Sequence, residues 1–144
     1  MKTVAELLRA KSNPEVVSVS PEQTVLEAIS VMAEKGIGAL VVVDGSQLVG
    51  IVSERDYARK VVLMERSSYN TQVREIMTAN VITVQPGQSN EHCMKLMTDG
   101  RLRHLPVVDG NTVVGMISIG DLVKDVIADQ QKVIHQLESY IRGE

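Results

Sequence analysis

The strongest constraint on this chain is that it repeats itself. A shift of 65 residues lays it on itself without a gap: Val19-Ser-Pro21 falls on Val84-Gln-Pro86, and Leu40-Val-Val-Val-Asp-Gly45 falls on Leu105-Pro-Val-Val-Asp-Gly110. Gly50-Ile-Val-Ser53 falls on Gly115-Met-Ile-Ser118, and Met32, Asp56 and Val61 fall on Met97, Asp121 and Val126. The leaders also match, at a slightly longer offset: Thr3-Val-Ala-Glu-Leu-Leu8 is similar to Gln72-Val-Arg-Glu-Ile-Met77. A fixed internal period defines the folding unit before any single motif does.

Each copy has the same local grammar. Residues 16–19 (VVSV) and 81–84 (VITV) are short β-branched runs, so a strand is expected in each. A helix follows, with Pro near its start. Val25, Ala28, Ile29 and Met32 share one helical face, as do their counterparts Asn90, Cys93, Met94 and Met97. Gly36 and Gly38 should stop the first helix and Gly100 the second. Two apolar runs around Asp-Gly then read as a hairpin, and a helix begins at or just after Ser53 and Ser118. The plan is βαββα, twice. A unit of about 60 residues buries too little surface to be comfortable alone. The expectation is therefore an α/β (α+β) fold in which two pseudo-symmetric copies pack sheet to sheet. Its parts are repeat 1 over 3–64, a polar linker over 65–72, repeat 2 over 73–127 and a helical extension over 128–144.

Composition removes several function classes. The chain has 144 residues, a formal charge of -3, no Trp, no Phe and three Tyr. It lacks the basic face and stacking aromatics of a nucleic-acid binder. No run reaches the roughly 20 apolar residues of a membrane span, and the start, MKTVAELLRAK, is too charged for a signal peptide. One cysteine, Cys93, excludes an internal disulfide framework. A reducing, cytoplasmic setting is expected, with no nucleic-acid or membrane partner.

Ser-x-x-Asp at the start of a helix is first of all a capping box. The same place offers unpaired N–H groups and a positive dipole end, which suit phosphate. A carboxylate one turn along can accept from two vicinal hydroxyls. Arg55, inside the first motif, is a charge suited to phosphate.

The doubled pattern Gly-x-x-x-Leu-(Pro/Val)-Val-Val-Asp-Gly, then Val-Gly-(Ile/Met)-(Val/Ile)-Ser-x-x-Asp, resembles a pair of cystathionine-β-synthase-type (CBS) domains, the Bateman module. The resemblance covers about residues 3–127. It implies two clefts between the repeats that take AMP, ADP or ATP, and in some members NAD or S-adenosylmethionine. It implies that the motif Ser contacts phosphate, that the Asp holds ribose hydroxyls and that adenine lies against the first strand of the opposite repeat. One cleft would then use Ser53, Arg55 and Asp56, with Ile37, Val81 and Ile82 at the base and Arg103 on the phosphate. The other would use Ser118 and Asp121, with Val16, Val17 and Leu102. Gly120 and Gly38 stand where the first cleft has Arg55 and Arg103, so the first is the better anion site.

Other residues carry less. Gly36-Ile-Gly38 lacks the third Gly of a dinucleotide fingerprint and precedes a strand. His92, His104 and His135 have no metal-ligand spacing. Cys93, at the place of Ala28, fits a core thiol. No Walker sequence or nucleophile–base pair is evident, so an enzyme is not expected. In the tail, Ile127, Ile134 and Ile141 recur every seven residues with Leu137 between, a stripe that fits a homodimer contact or packing on the chain's own module. The expected role is a nucleotide sensor acting on a partner protein. A scaffold with vestigial clefts is the alternative.

Overall fold

A computed structural model describes residues 1–11 and 15–143. Residues 12–14 of the expected first repeat and Glu144 of the expected extension lie outside the described residues. The elements in chain order are α1 (Val4–Ala10), β1 (Ser18–Val19), α2 (Val25–Lys35), β2 (Ala39–Asp44), β3 (Gln47–Ser53), α3 (Glu54–Tyr57), α4 (Asn90–Gly100), β4 (His104–Asp109), β5 (Thr112–Ser118) and α5 (Ile119–Arg142). A π-helical turn, Ala58–Val62, continues α3, and a 3-10 turn, Val73–Glu75, lies between the copies.

The chain divides into two compact units. The first comprises Glu15–Thr83 and Val108–Val114; the second comprises Met1–Pro14, Val84–Val107 and Gly115–Glu144. In the first, β1 runs parallel to β2, pairing Ser18 with Val41 and Val19 with Val42, and β2 runs antiparallel to β3. β4 and β5 form a second, two-stranded sheet. The Asp-Gly turns are hairpin turns as expected: Gly45 and Gly110 both take φ 64, where a Cβ would be strained.

The copies differ where the sequence expectation is corrected. The expected strand over 81–84 reduces to one parallel bridge, Val84 to Val107, the counterpart of Val19 to Val42. The reason is Pro106. It stands where β2 has Val41, and it can accept from the Val84 N–H at 3.0 Å but has no N–H to give back. Gly36 caps α2 with φ 66, as expected. In α4, however, Gly100 is the last helical residue, and Arg101 takes the left-handed cap at φ 53.

The buried cores match at six positions of the repeat. Val19, Ala28, Met32, Leu40, Val42 and Val52 in the first unit stand where Val84, Cys93, Met97, Leu105, Val107 and Ile117 do in the second. What completes each core comes from the other end of the repeat. Val73 and Ile76 of the second leader enter the first core, whereas Val4 and Leu7 of the N-terminal leader enter the second. The backbone bonds match: Val73 N–H to Gln23 O at 2.8 Å and Arg74 N–H to Pro21 O at 3.0 Å, against Val4 N–H to Gln88 O at 2.8 Å and Ala5 N–H to Pro86 O at 2.9 Å. Each leader therefore serves the copy that does not follow it. Close approach is why β3 and β5 carry glycine. A Cβ at Gly50 would lie 2.6 Å from Met77 Sδ, and one at Gly115 would lie 2.5 Å from Leu8 Cδ2.

Candidate functional site: two Ser-x-x-Asp motifs

Each motif sits at a strand-to-helix junction. Ser53 ends β3 and caps α3; Ser118 ends β5 and caps α5. Both serines are extended, with φ -130 and -101, and each Oγ accepts from the N–H three residues on at 3.2 Å. The acid returns the bond: Asp56 accepts from Ser53 N–H at 2.9 Å, and Asp121 from Ser118 N–H at 2.8 Å. The first N–H of each helix is also taken, Glu54 by Gly38 O at 3.0 Å and Ile119 by Arg103 O at 2.9 Å. The capping boxes foreseen in the sequence are therefore complete in both copies.

Among the described residues, the capping pattern gives no partner to the second N–H of each helix, at Arg55 and Gly120. Each motif thus presents a hydroxyl, a half-buried carboxylate and one open N–H within a single turn. A cation covers each carboxylate. Lys60 Nζ lies 3.3 Å from Asp56 and donates to Ile76 O at 2.8 Å. Lys11 Nζ lies 3.1 Å from Asp121 and donates to Met116 O at 2.8 Å. Sequence reasoning missed both lysines. Lys60 was legible, because Asp56 and Lys60 are four apart on a helix. Lys11 lies 105 residues along the chain from Met116 and left no local signal.

The other expected site residues divide between the units. The first unit holds Ile37, Val16, Val17, Val81 and Ile82 together with Ser53, Arg55 and Asp56; the second holds Leu102 and Arg103 together with Ser118 and Asp121. Ile37 and Val17 are partly buried against the first core. Val16 and Ile82 are exposed, at 36% and 41%. Val81 lines a cavity of about 590 Å³ with the hairpin-tip residues Gln47 and Asn111, among others. Arg55 and Arg103 are exposed, and neither guanidinium has a carboxylate partner among the described residues. His104, at the start of β4, is held below the usual imidazole value by burial, then by Lys11, with Asp121 opposing and Arg103 reinforcing the shift. Burial pushes the Cys93 thiol up, which fits its place in the core.

Among the described residues, no group of three or more His, Cys, Asp or Glu could hold a metal, and no helix is long and apolar enough to cross a membrane. A duplicated βαββα plan, its first strand vestigial in the second copy, with a capped Ser-x-x-Asp at each closing junction, defines a class of paired α/β modules. The family model "CBS domain" matches residues 4–63 and 73–128. The chain belongs to the CBS domain family and carries two copies.

Similar proteins agree. The chain is 39% identical over 149 residues to the CBS domain-containing protein CBSX3, mitochondrial, of Arabidopsis thaliana, covering 98% of this chain and 72% of that one. A solved CBS-domain protein from Burkholderia ambifaria is 60% identical, with TM-score 0.86, covering 90% of this chain and 96% of that one. The CBS domain pair of protein MJ0100, solved in complex with 5′-methylthioadenosine and S-adenosyl-L-methionine, is 25% identical, with TM-score 0.78, covering 89% and 98%.

Proposed function

We propose that this protein is a regulatory sensor of an adenosine nucleotide, AMP, ADP or ATP, which signals occupancy to a partner protein. The observation that carries the reading is the doubled motif: hydroxyl, carboxylate and open N–H within one turn, at equivalent junctions of both copies. Those groups match a phosphate oxygen and a ribose diol. The MJ0100 domain pair, which holds adenosine compounds, supports the adenosine class. The assignment of Val81, Ile82 and Arg103 to the ligand of the first motif, and of Val16, Val17 and Leu102 to that of the second, is carried by the family resemblance. The role is regulatory rather than catalytic, a reading carried by the family resemblance. The mechanism is differential binding, in which ligand favours the state that holds it best.

A second reading keeps the same sites and gives them S-adenosylmethionine, as in MJ0100; NAD is a third adenosine ligand for the same groups. The reading keeps a reducing, cytoplasmic setting, which rests on the single cysteine. For assembly, this reading gives a homodimer. Beyond Gln130 no residue of α5 is buried, and Ile134, Leu137 and Ile141 stand 54%, 57% and 82% exposed at coiled-coil spacing. A second copy presents the same stripe, and sedimentation of the full chain measures whether it pairs.

Calorimetry with AMP, ADP, ATP, NAD and S-adenosylmethionine identifies the ligand, which at 100-fold over its dissociation constant should stabilise the fold by about 2.7 kcal/mol. Asp56→Ala and Asp121→Ala should each weaken binding at one motif tenfold or more. A cap without a ligand role gives a different result: about 1 kcal/mol of stability lost and affinity unchanged.

A further inference from the structure

The geometry points to Lys11 and Lys60 as charge-selecting latches on the two motifs, which make them discriminate for anionic adenosine ligands; this rests on the reading of Ser-x-x-Asp as a ribose site. In both copies one ammonium bridges the motif carboxylate and a backbone carbonyl: Asp56 and Ile76 O for Lys60, Asp121 and Met116 O for Lys11. The duplication did not deliver this likeness. Lys60 reaches Asp56 from one turn along the same helix, while Lys11 reaches Asp121 from the residue that caps α1. The counterpart of Lys60 in the second copy is Asp125, an acid buried in a different network, so a lysine on α5 at that place is not available. The same arrangement is thus built from two unrelated parts of the chain.

The arrangement has a chemical consequence. An ammonium has three donors; the carbonyl takes one of them, and the carboxylate faces the head as an ion pair. The side chains remain 25% exposed for Lys11 and 45% for Lys60, and their flexible stems let the heads turn. A neutral ribose diol must compete with that cation for the carboxylate. A ligand that also carries a phosphate gives the ammonium a new partner. The head then turns to the phosphate while the carboxylate turns to the diol. This supplies a phosphate partner to the second motif, where Gly120 stands in place of Arg55. It also separates ligand classes: AMP and ATP release the latch, whereas adenosine and 5′-methylthioadenosine leave it closed.

Isothermal titration of the full chain with AMP and with adenosine tests this. The unaltered protein should bind AMP roughly tenfold or more tightly than adenosine. Lys11→Met and Lys60→Met keep the apolar stem and remove the cation. Each should weaken AMP roughly tenfold at one site while leaving adenosine unchanged or tighter. Lys11→Arg and Lys60→Arg should restore the preference for AMP, which separates charge from packing. Equal affinity for AMP and adenosine in the unaltered protein, or a preference that survives both Met substitutions, overturns the latch and leaves the ribose site standing. Failure of both ligands to bind, with Asp56→Ala and Asp121→Ala also silent, removes the ribose site itself and the latch with it.

Discussion

The first and second units have cores that match at most positions, yet they handle polar groups at their helix starts in opposite ways. In the first, α2 begins with Val25, which is 1% exposed and joins the apolar core. In the second, α4 begins with Asn90, fully buried, whose amide donates to Asp125 at 2.7 Å and to Leu122 O at 3.2 Å. Lys2 closes that network, its N–H on Asp125 at 3.0 Å and its ammonium at 3.5 Å. The Met1 nitrogen adds a contact to Asp129 at 2.8 Å. The first unit is held by apolar matching with its leader. The second uses a buried acid that ties the N-terminus, α4 and α5 to one point. A duplicated sequence thus keeps its hydrophobic plan and diverges in how its ends are fastened.

Removing that acid gives the largest effect that separates the units. Asp125→Ala leaves the buried Asn90 amide short of a partner, and the Asn90 Oδ1 already has no hydrogen bond. A loss of about 3 kcal/mol is expected, read by denaturant unfolding. Its counterpart Lys60→Ala removes a half-exposed ion pair and should cost under about 1 kcal/mol. Replacing both members, Asn90→Val with Asp125→Leu, gives α4 the apolar start of α2, removes the polar pair together and should recover most of the loss. If the double change is as damaging as the single one, the network does more than satisfy its own polar atoms. The acid also gives the second unit an acid limit. Burial pushes Asp125 up, but the Lys2 N–H, the Asn90 amide and the Lys2 ammonium outweigh it and hold its carboxyl below the usual value. Its contribution is present above the unfolded value and is lost as pH falls through the folded one.

The glycines that let the leaders approach give a smaller and sharper contrast. The nearest atoms to a Cβ at Gly115 all belong to the Leu8 side chain, which can turn away. One at Gly50 meets Met77 Sδ and also the Thr78 carbonyl, at 3.0 Å. That carbonyl accepts from Ile51 N–H at 3.0 Å, and Thr78 N–H donates back to Ile51 O at 2.9 Å, so it cannot retreat without breaking a bridge. Gly50→Ala should therefore cost about 2 kcal/mol and Gly115→Ala about half of that. Equal losses in thermal unfolding would mean that the leader on the first unit yields as freely as α1 does.

Much of this was legible from the chain, and the misses have physical causes. The apolar periodicity gave the helices, the Asp-Gly pairs gave the hairpins, and Ser-x-x-Asp gave both capping boxes, because each is a local rule. The crossing of the leaders was not legible: Val4 and Val73 have the same pattern, and nothing local says which copy each will cover. The missing ladder at 81–83 could have been read from Pro106, had the parallel register been known. Lys60 was readable from its spacing, whereas Lys11 and the Asn90–Asp125 pair depend on tertiary neighbours that no window of sequence contains.

His104 offers the finest test of the difference between the units, because its counterpart in the first copy is Ala39, which cannot titrate. Burial holds the imidazole below its ordinary value, and the charged groups facing it are Lys11, Arg103 and Asp121. The folded state therefore keeps His104 neutral at a pH where the unfolded chain has begun to protonate it. The unfolded state binds more protons, so stability rises with pH through this window and falls as pH drops below about 6.5. Replacement by an uncharged residue of similar reach removes that slope. His104→Gln should give a flatter dependence of stability between pH 7 and 5 than the unaltered chain, with little change at pH 7.5. Lys11→Met should also flatten it, because the nearest cation opposing protonation is gone and Asp121 is left to favour it. A slope that persists unchanged in His104→Gln assigns the dependence to other groups and leaves His104 without influence on the second motif.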